Sequence, residues 1–202
     1  IVMEREREIR AFIPEDYFVL EAHLKQSKTL IPFTCVVEPT EEKEADRIKT
    51  VGENHDWIIT QVKESQATRA PRPPFTTSTL QQTASTRLGF TPGRTMGAAQ
   101  KLYEAGHITY MRTDSTNMST LALKQILAML NKEYGKDYVQ PRTFKTKSKS
   151  AQEAHEAVRP SNFSKKTAGT TADQKELYEM IYARAVASQM SDAKIKRTKR
   201  LA

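Results

Sequence analysis

The sequence predicts an α+β chain. It has an incomplete β-rich region over residues 1–70, a mainly helical region over 71–190 with a helix-turn-helix or winged-helix-like core, and a short closing stretch, 191–202. Three observations carry this. Short runs of aromatic and β-branched residues cluster before residue 63, each too brief for a helix. A Pro-rich stretch from Ser65 to Phe75 separates them from the remainder of the chain. Beyond that stretch, apolar residues recur at three- and four-residue spacing between capping residues and glycines.

Val2-Met3-Glu4-Arg5-Glu6-Arg7-Glu8-Ile9-Arg10 reads as a helix of alternating charge stopped before Pro14. Residues 16–24 and 29–37 read as strands, as does Trp57-Ile58-Ile59-Thr60-Gln61-Val62. Thr40 is placed to cap a short helix, with Glu41, Glu42 and Glu44 favourable in its first turn. Three strands and one helix make a thin sheet with open edges, so further sequence is expected to complete it. His23 and His55 lack any partner pattern and read as ordinary surface or core histidines.

In the helical region, Ser78-Thr79-Leu80-Gln81 has capping-box spacing, and Leu80, Ala84 and Leu88 form an apolar stripe ending at Gly89. Thr95 is expected to cap a second helix, with Met96, Ala99, Leu102 and Tyr103 facing inward, ending at Gly106. Two short helices, a tight turn and a following strand fit a helix-turn-helix or winged-helix protein. A plain small helical bundle fits the same pattern. Leu123, Ile126, Leu127, Leu130 and Tyr134 keep helical spacing up to Gly135. Residues 141–149 form a basic loop with one aromatic, able to follow a nucleic-acid backbone or simply to be solvated. Ser150-Ala151-Gln152-Glu153 has capping-box spacing and is expected to open a short helix containing His155, closed by Arg159-Pro160. Thr171-Ala172-Asp173-Gln174 starts the last long helix, with Leu177, Tyr178, Ile181 and Ala185 inward, to about Met190.

The most informative stretch is His107-Ile108-Thr109-Tyr110-Met111-Arg112-Thr113-Asp114-Ser115-Thr116-Asn117. Read as a strand, its side chains alternate faces, so Ile108, Tyr110 and Arg112 are expected on one face. A phenol with the ordinary pKa of about 10 is a poor nucleophile at neutral pH. A neighbouring cation favours phenolate, and a guanidinium can grip a phosphate with two parallel hydrogen bonds. That pairing suits attack on a phosphodiester. Spacing alone equally describes a half-buried Tyr beside a solvated Arg.

Composition narrows the classes. With 202 residues, 38% hydrophobic and 28% charged, the chain can hold one large or two small domains. No apolar run approaches the roughly 20 residues that span a bilayer, so no membrane partner is expected. Cys35 stands alone, which excludes an internal disulfide and a Cys-based zinc site and suits a reducing, cytoplasmic setting. The net charge of +8 is unevenly spread: residues 1–70 carry 10 Lys and Arg against 14 Asp and Glu, and residues 71–202 carry 22 against 10. The basic part is expected to meet a polyanion. The chain opens Ile1-Val2 and closes without tail composition, and reads as a piece of something longer.

Several runs together resemble the type IA DNA topoisomerases of the bacterial topoisomerase I kind. These are Pro74-Phe75-Thr76-Thr77-Ser78-Thr79-Leu80-Gln81-Gln82, Ala84-Ser85, Leu88-Gly89-Phe90, Leu102-Tyr103-Glu104-Ala105-Gly106 and Ile108 to Ser115. Gln152 to Ser161 looks like the family's second motif, and Glu4 to Ile9 with Ala11-Phe12-Ile13-Pro14-Glu15 also match. The resemblance implies a multidomain fold in which residues 1–70 are the first part of a β-rich arch, 71–190 the helical domain bearing the active-site tyrosine, and 191–202 the start of the return to the arch. It implies that Tyr110 attacks one DNA strand and stays joined to the 5′ phosphate, that a second strand passes, and that the break is resealed without ATP. Arg112 matches the motif arginine that would hold the scissile phosphate. His155 matches the motif histidine near the break. DNA contact is further expected of Thr109, Thr113, Asp114, Gln81, Arg87 and Arg159. The expected partners are DNA, chiefly single-stranded, and the remaining domains of the same parent chain, at the nucleoid.

The family's Mg²⁺ site is an acidic cluster with Asp-x-Asp-x-Asp spacing. No Asp-x-Asp occurs in this chain, so Mg²⁺ is expected of the full-length enzyme, with ligands outside residues 1–202, and no metal ligand is assigned here. The isolated piece is therefore expected to be inactive. Two other classes stay open: a non-enzymatic winged-helix nucleic-acid-binding module, and a tyrosine recombinase or relaxase-like nuclease. The last would usually show a His-x-His pair, which is absent.

Overall fold

The computed structural model describes residues 1–144 and 155–202. The chain is α+β and divides into two compact units, residues 1–64 with 198–202, and residues 65–197.

In the first unit, α1 (Val2–Ala11) buries no residue and is supported on its surface by Arg5–Glu8 and Arg10–Glu6 ion pairs at 2.7 and 3.1 Å. Such i,i+3 and i,i+4 pairs are each worth a few tenths of a kcal/mol. β1 (Glu21–Gln26) and β2 (Thr29–Thr34) form an antiparallel hairpin with Glu21 opposite Thr34. Both strands are shorter than the aromatic and β-branched runs suggested. α2 (Glu42–Asn54) begins after Glu41, which makes no side-chain cap, so Thr40 is not its cap. Trp57 is not in a strand: its Nε1 donates to the Gly52 carbonyl at 2.8 Å, folding the indole back onto α2. A Cβ at Gly52 would sit 3.1 Å from that ring, so the close approach depends on glycine. β3 (Gln61–Arg69) comes next and pairs with β4 (Ala193–Leu201). The Thr60 amide donates to the Leu201 carbonyl at 2.8 Å, so the start of β3 lies by the end of β4. Residues 65–69, expected as linker, are the second half of β3.

The second unit contains α3 (Thr77–Leu88), α4 (Pro92–Glu104), α5 (Thr120–Tyr134) and α6 (Ala172–Ser188), with a 3-10 turn at Lys136–Tyr138. The cap of α3 is Thr76, two residues before the expected Ser78. Its hydroxyl accepts from the Thr79 amide, and the Thr79 hydroxyl accepts from the Thr76 amide at 2.9 Å. α3 closes on Gly89 in the left-handed region at φ 66°, which glycine adopts without steric cost. Thr91, not Thr95, caps α4, because Pro92 occupies the first helical position, where its missing N–H costs nothing. Thr95 is buried inside the helix, and its hydroxyl donates to the Thr91 carbonyl. Thr171 caps α6 as expected.

Two apolar clusters hold this unit. One joins Phe75, Leu80, Phe90, Leu102, Ile108 and Met111 to Leu177, Tyr178 and Ile181 of α6. The other packs Ile126 and Leu130 of α5 against Phe163, Ala185 and Val186. Fully burying each Leu, Ile or Phe contributes roughly 1.5–3 kcal/mol. The expected short helix around His155 is absent over its described part. Residues 155–160 form no helix, with Val158 bridged to Phe75 and Pro160 to Ile108, and a residue preceding proline is pushed away from the helical conformation. Lys145–Lys149 of the expected basic loop and the Ser150–Glu153 capping box lie outside the described residues.

Candidate active site

The stretch from His107 to Asn117 is not a regular strand. Among the described residues its one ladder contact is the Ile108–Pro160 bridge, and two side-chain clasps fix the rest. On one side, the Thr109 hydroxyl donates to the Ala157 carbonyl at 2.7 Å and accepts from the Arg159 amide at 3.0 Å. The Thr109 amide donates to the Arg159 carbonyl at 2.9 Å. On the other side, the hydroxyl of Thr77, first residue of α3, donates to the Met111 carbonyl at 2.7 Å and accepts from the Thr113 amide at 2.9 Å. The Thr77 amide completes this clasp by donating to the Thr113 carbonyl at 2.9 Å.

Between the clasps, Met111 is buried in the core while Tyr110 is 45% exposed. Exposure then alternates: Met111, Thr113 and Ser115 are buried, and Tyr110, Arg112 and Asp114 are exposed. Tyr110 and Arg112 are thus both exposed, as the expected sharing of a face requires, but Ile108 is not. Ile108 is 2% exposed. The phase slips between Ile108 and Tyr110 because the backbone leaves the bridge there. The Tyr110 ring rests edge-on against Tyr103 of α4, with centroids 5.2 Å apart. Such pairs are worth about 0.5–1.5 kcal/mol beyond burial and limit the ring's freedom. Among the described residues, the Tyr110 hydroxyl has no hydrogen-bond partner and Arg112 and Asp114 have no ion-pair partner, which leaves all three for a ligand.

The other expected site residues fall into distinct places. Thr109 and Thr113 point inward; the Thr113 hydroxyl accepts from the Ser115 amide at 3.0 Å. Arg159 is 12% exposed at its side chain; its Nε donates to Glu156 Oε2 at 2.6 Å and its Nη1 to the Pro160 carbonyl at 2.9 Å. The other Glu156 oxygen accepts from the amide of Ser119, the N-cap of α5, at 3.1 Å. A carboxylate at a helix N-terminus is favoured by the helix dipole. Glu156 therefore ties α5 to the segment that carries Arg159. His155 is exposed, two residues before Ala157, whose amide donates to the Asn117 carbonyl at 2.8 Å. Gln81 lies one turn beyond Thr77 on α3, hence on the same face of that helix. Arg87 lies in the last turn of α3, about 15 Å along the axis from Thr77, and is not part of this cluster.

Sequence reasoning missed Thr77 and Glu156, and it turned Tyr103 inward, whereas Tyr103 is 41% exposed and lies against Tyr110. The one available signal for Thr77 was the run Thr76-Thr77-Ser78-Thr79, which offers more hydroxyls than one helix cap uses. Among the described residues no group of three or more His, Cys, Asp or Glu side chains converges as a metal-binding set. Those residues do not fit a Mg²⁺ site.

A family model described as DNA topoisomerase matches residues 1–201. DNA topoisomerase 1 of Zymomonas mobilis is 39% identical over 211 residues, which cover 98% of this chain and 17% of that protein. DNA topoisomerase 1 of Helicobacter pylori strain J99 is 43% identical over 216 residues, covering 96% of this chain and 29% of that protein. The full-length topoisomerase I structure from Thermotoga maritima aligns with a TM-score of 0.75 at 33% identity, over 98% of this chain and 33% of that one. The chain thus spans between about a sixth and a third of the relatives it matches. A match along almost its entire length, with the Tyr110 segment inside it, shows that the chain belongs to the DNA topoisomerase family.

Proposed function

We propose that this chain supplies the nucleophile of a type IA DNA topoisomerase, which cleaves one DNA strand, passes a second through the gap and reseals it, relaxing negative supercoils without ATP. The observation that carries this is the half-exposed Tyr110, whose hydroxyl has no hydrogen-bond partner among the described residues, on a backbone pinned at Thr109 and Thr113. The Tyr110 oxygen attacks the phosphorus and the bond to the 3′ oxygen breaks. The phenol gives up its proton as it attacks, and the leaving oxygen takes up one proton to become a 3′ hydroxyl, so the protons balance. The tyrosine keeps the 5′ phosphate. Religation runs this in reverse, so the energy of the phosphodiester is held in the phosphotyrosine bond. Displacement of this kind depends on positioning and charge stabilisation.

Arg112 is assigned to the phosphate, where a planar guanidinium can bind two oxygens as they gain charge. His155 is assigned to the DNA backbone near the break, with Asp114 and Gln81 as further DNA contacts. Thr109, Thr113 and Arg159 act from behind: their polar groups hold the segment, so they position Tyr110 rather than touch the strand. The substrate is single-stranded DNA, or a strand opened from duplex, at the nucleoid. Mg²⁺, which would neutralise phosphate charge, is assigned to other domains of the full-length protein.

Incubating the full-length protein with end-labelled single-stranded DNA and Mg²⁺ tests this. The wild type should form a covalent adduct at the 5′ end of the break, mapped to Tyr110. Tyr110→Phe keeps the ring and removes the attacking oxygen, so binding should survive and the adduct disappear. An adduct persisting in that variant would reject the assignment.

A further inference from the structure

The far end of α3 borders a second feature. A cleft of about 1110 Å³ lies within residues 65–197, and its lining includes Arg69, Arg72, Arg87, Arg184 and Lys194. Two carboxylates also line it, Asp137 and Asp192. Arg142 takes up Asp192 at 2.5 Å, leaving Asp137 against five cations. Among the described residues none of those five has an ion-pair partner. Arg184 is half-buried and held rigidly: its guanidinium lies 4.2 Å over the Phe75 ring and Nη1 donates to the Pro73 carbonyl. Burial first, then the charges of Arg72 and Arg87, push its pKa down. Like charges gathered on a partly desolvated wall repel one another, and an anion between them removes that repulsion.

The chemistry of that anion can be narrowed. Guanidinium forks match phosphate oxygens in pairs. The cleft exceeds the roughly 300–1,000 Å³ that holds a small molecule, so one free phosphate would leave most of it empty. Tyr138, 58% exposed, also lines the cleft and offers a ring on which a base can stack. A duplex keeps its base faces covered, which would leave that ring unused. We propose that this cleft binds a stretch of single-stranded nucleic acid by its phosphodiester backbone, with phosphates on Arg72, Arg87 and Arg184 and a base against Tyr138. It is separate from the Tyr110 segment and does not depend on the cleavage reading.

Fluorescence anisotropy of a labelled single-stranded deoxyoligonucleotide titrated with the 202-residue chain over a series of salt concentrations tests this. Arg72→Ala and Arg87→Ala, both exposed positions, should each weaken binding several-fold. Each should also reduce the slope of log affinity against log salt by about 0.7, the increment for one phosphate contact to a single strand. Tyr138→Ala should weaken binding several-fold with the slope unchanged. Lys132→Ala on α5 removes the same charge elsewhere and should change neither. Wild-type affinity and slope in both arginine variants would overturn the proposal. So would displacement of the oligonucleotide by inorganic phosphate at equal phosphate concentration, which would point to a small-anion site. Duplex bound as tightly as single strand, with Tyr138→Ala silent, would overturn the single-stranded assignment. Adduct formation by Tyr110 is read separately, so failure here leaves the cleavage reading standing, and the reverse.

Discussion

Thr77→Val is the sharpest probe of how the nucleophile is held. The substitution keeps the volume and branching of the side chain and deletes one oxygen. That oxygen makes two short bonds, to the Met111 carbonyl at 2.7 Å and from the Thr113 amide at 2.9 Å, which bracket Arg112 and directly follow Tyr110. Thr113 is 9% exposed and Met111 1%, so the orphaned groups cannot all find water. Leaving a buried donor or acceptor unpaired costs about 1–3 kcal/mol each, hence a loss of roughly 2–6 kcal/mol in local stability for the two groups. The backbone bond from Thr77 to the Thr113 carbonyl survives, so the fold should persist while the segment loosens. A displacement of about 1 Å in a reacting group can cost on the order of a hundredfold in rate. Single-turnover cleavage of a short oligonucleotide by the full-length protein should therefore fall by about that factor, with DNA affinity little changed. Thr77→Ser, which restores the oxygen, should recover most of the rate. Cleavage by Thr77→Val at the wild-type rate, or a serine variant no better than valine, would refute the clasp.

Three further outcomes are expected. If Arg112 clamps the phosphate, Arg112→Lys, which keeps the charge but not the planar fork, should stay far below wild type in single-turnover cleavage while binding DNA nearly normally; near-wild-type cleavage across several pH values would reject the clamp. The isolated 202-residue chain should not relax supercoiled DNA at any Mg²⁺ concentration, because its described residues bring together no metal-binding group of acids; efficient relaxation by the purified chain would contradict this. Burial pushes the Tyr178 phenol up to about 12, and its hydroxyl donates to the Lys165 carbonyl at 2.6 Å. A pKa raised by folding contributes stability that is intact below the unfolded value of about 10 and lost as pH climbs toward the folded one. Chemical denaturation should therefore show stability falling between about pH 10 and 12, and Tyr178→Phe should remove that slope and cost about 1 kcal/mol at neutral pH.

The helices of residues 71–190 were legible in the sequence because their causes are local. Periodic apolar residues, Thr171 ahead of α6 and Gly89 behind α3 act within a turn or two of themselves. Helix starts were misread where several hydroxyls competed, as at Thr76 against Ser78 and Thr91 against Thr95, since spacing does not say which hydroxyl the backbone will turn toward. The family was legible too, because it is carried by an ordered string of residue types rather than by any contact. What only the tertiary structure decided is how the Tyr110 segment is held. Its hydrogen bonds join residues 34 to 50 positions apart, Thr77 to Met111 and Thr113, and Thr109 to Ala157 and Arg159. Nothing in the period of a strand encodes those partners. They turn threonines and an arginine that the resemblance assigned to DNA contact into the supports of a tyrosine, because a buried backbone amide or carbonyl must be paired by whatever group the fold brings to it.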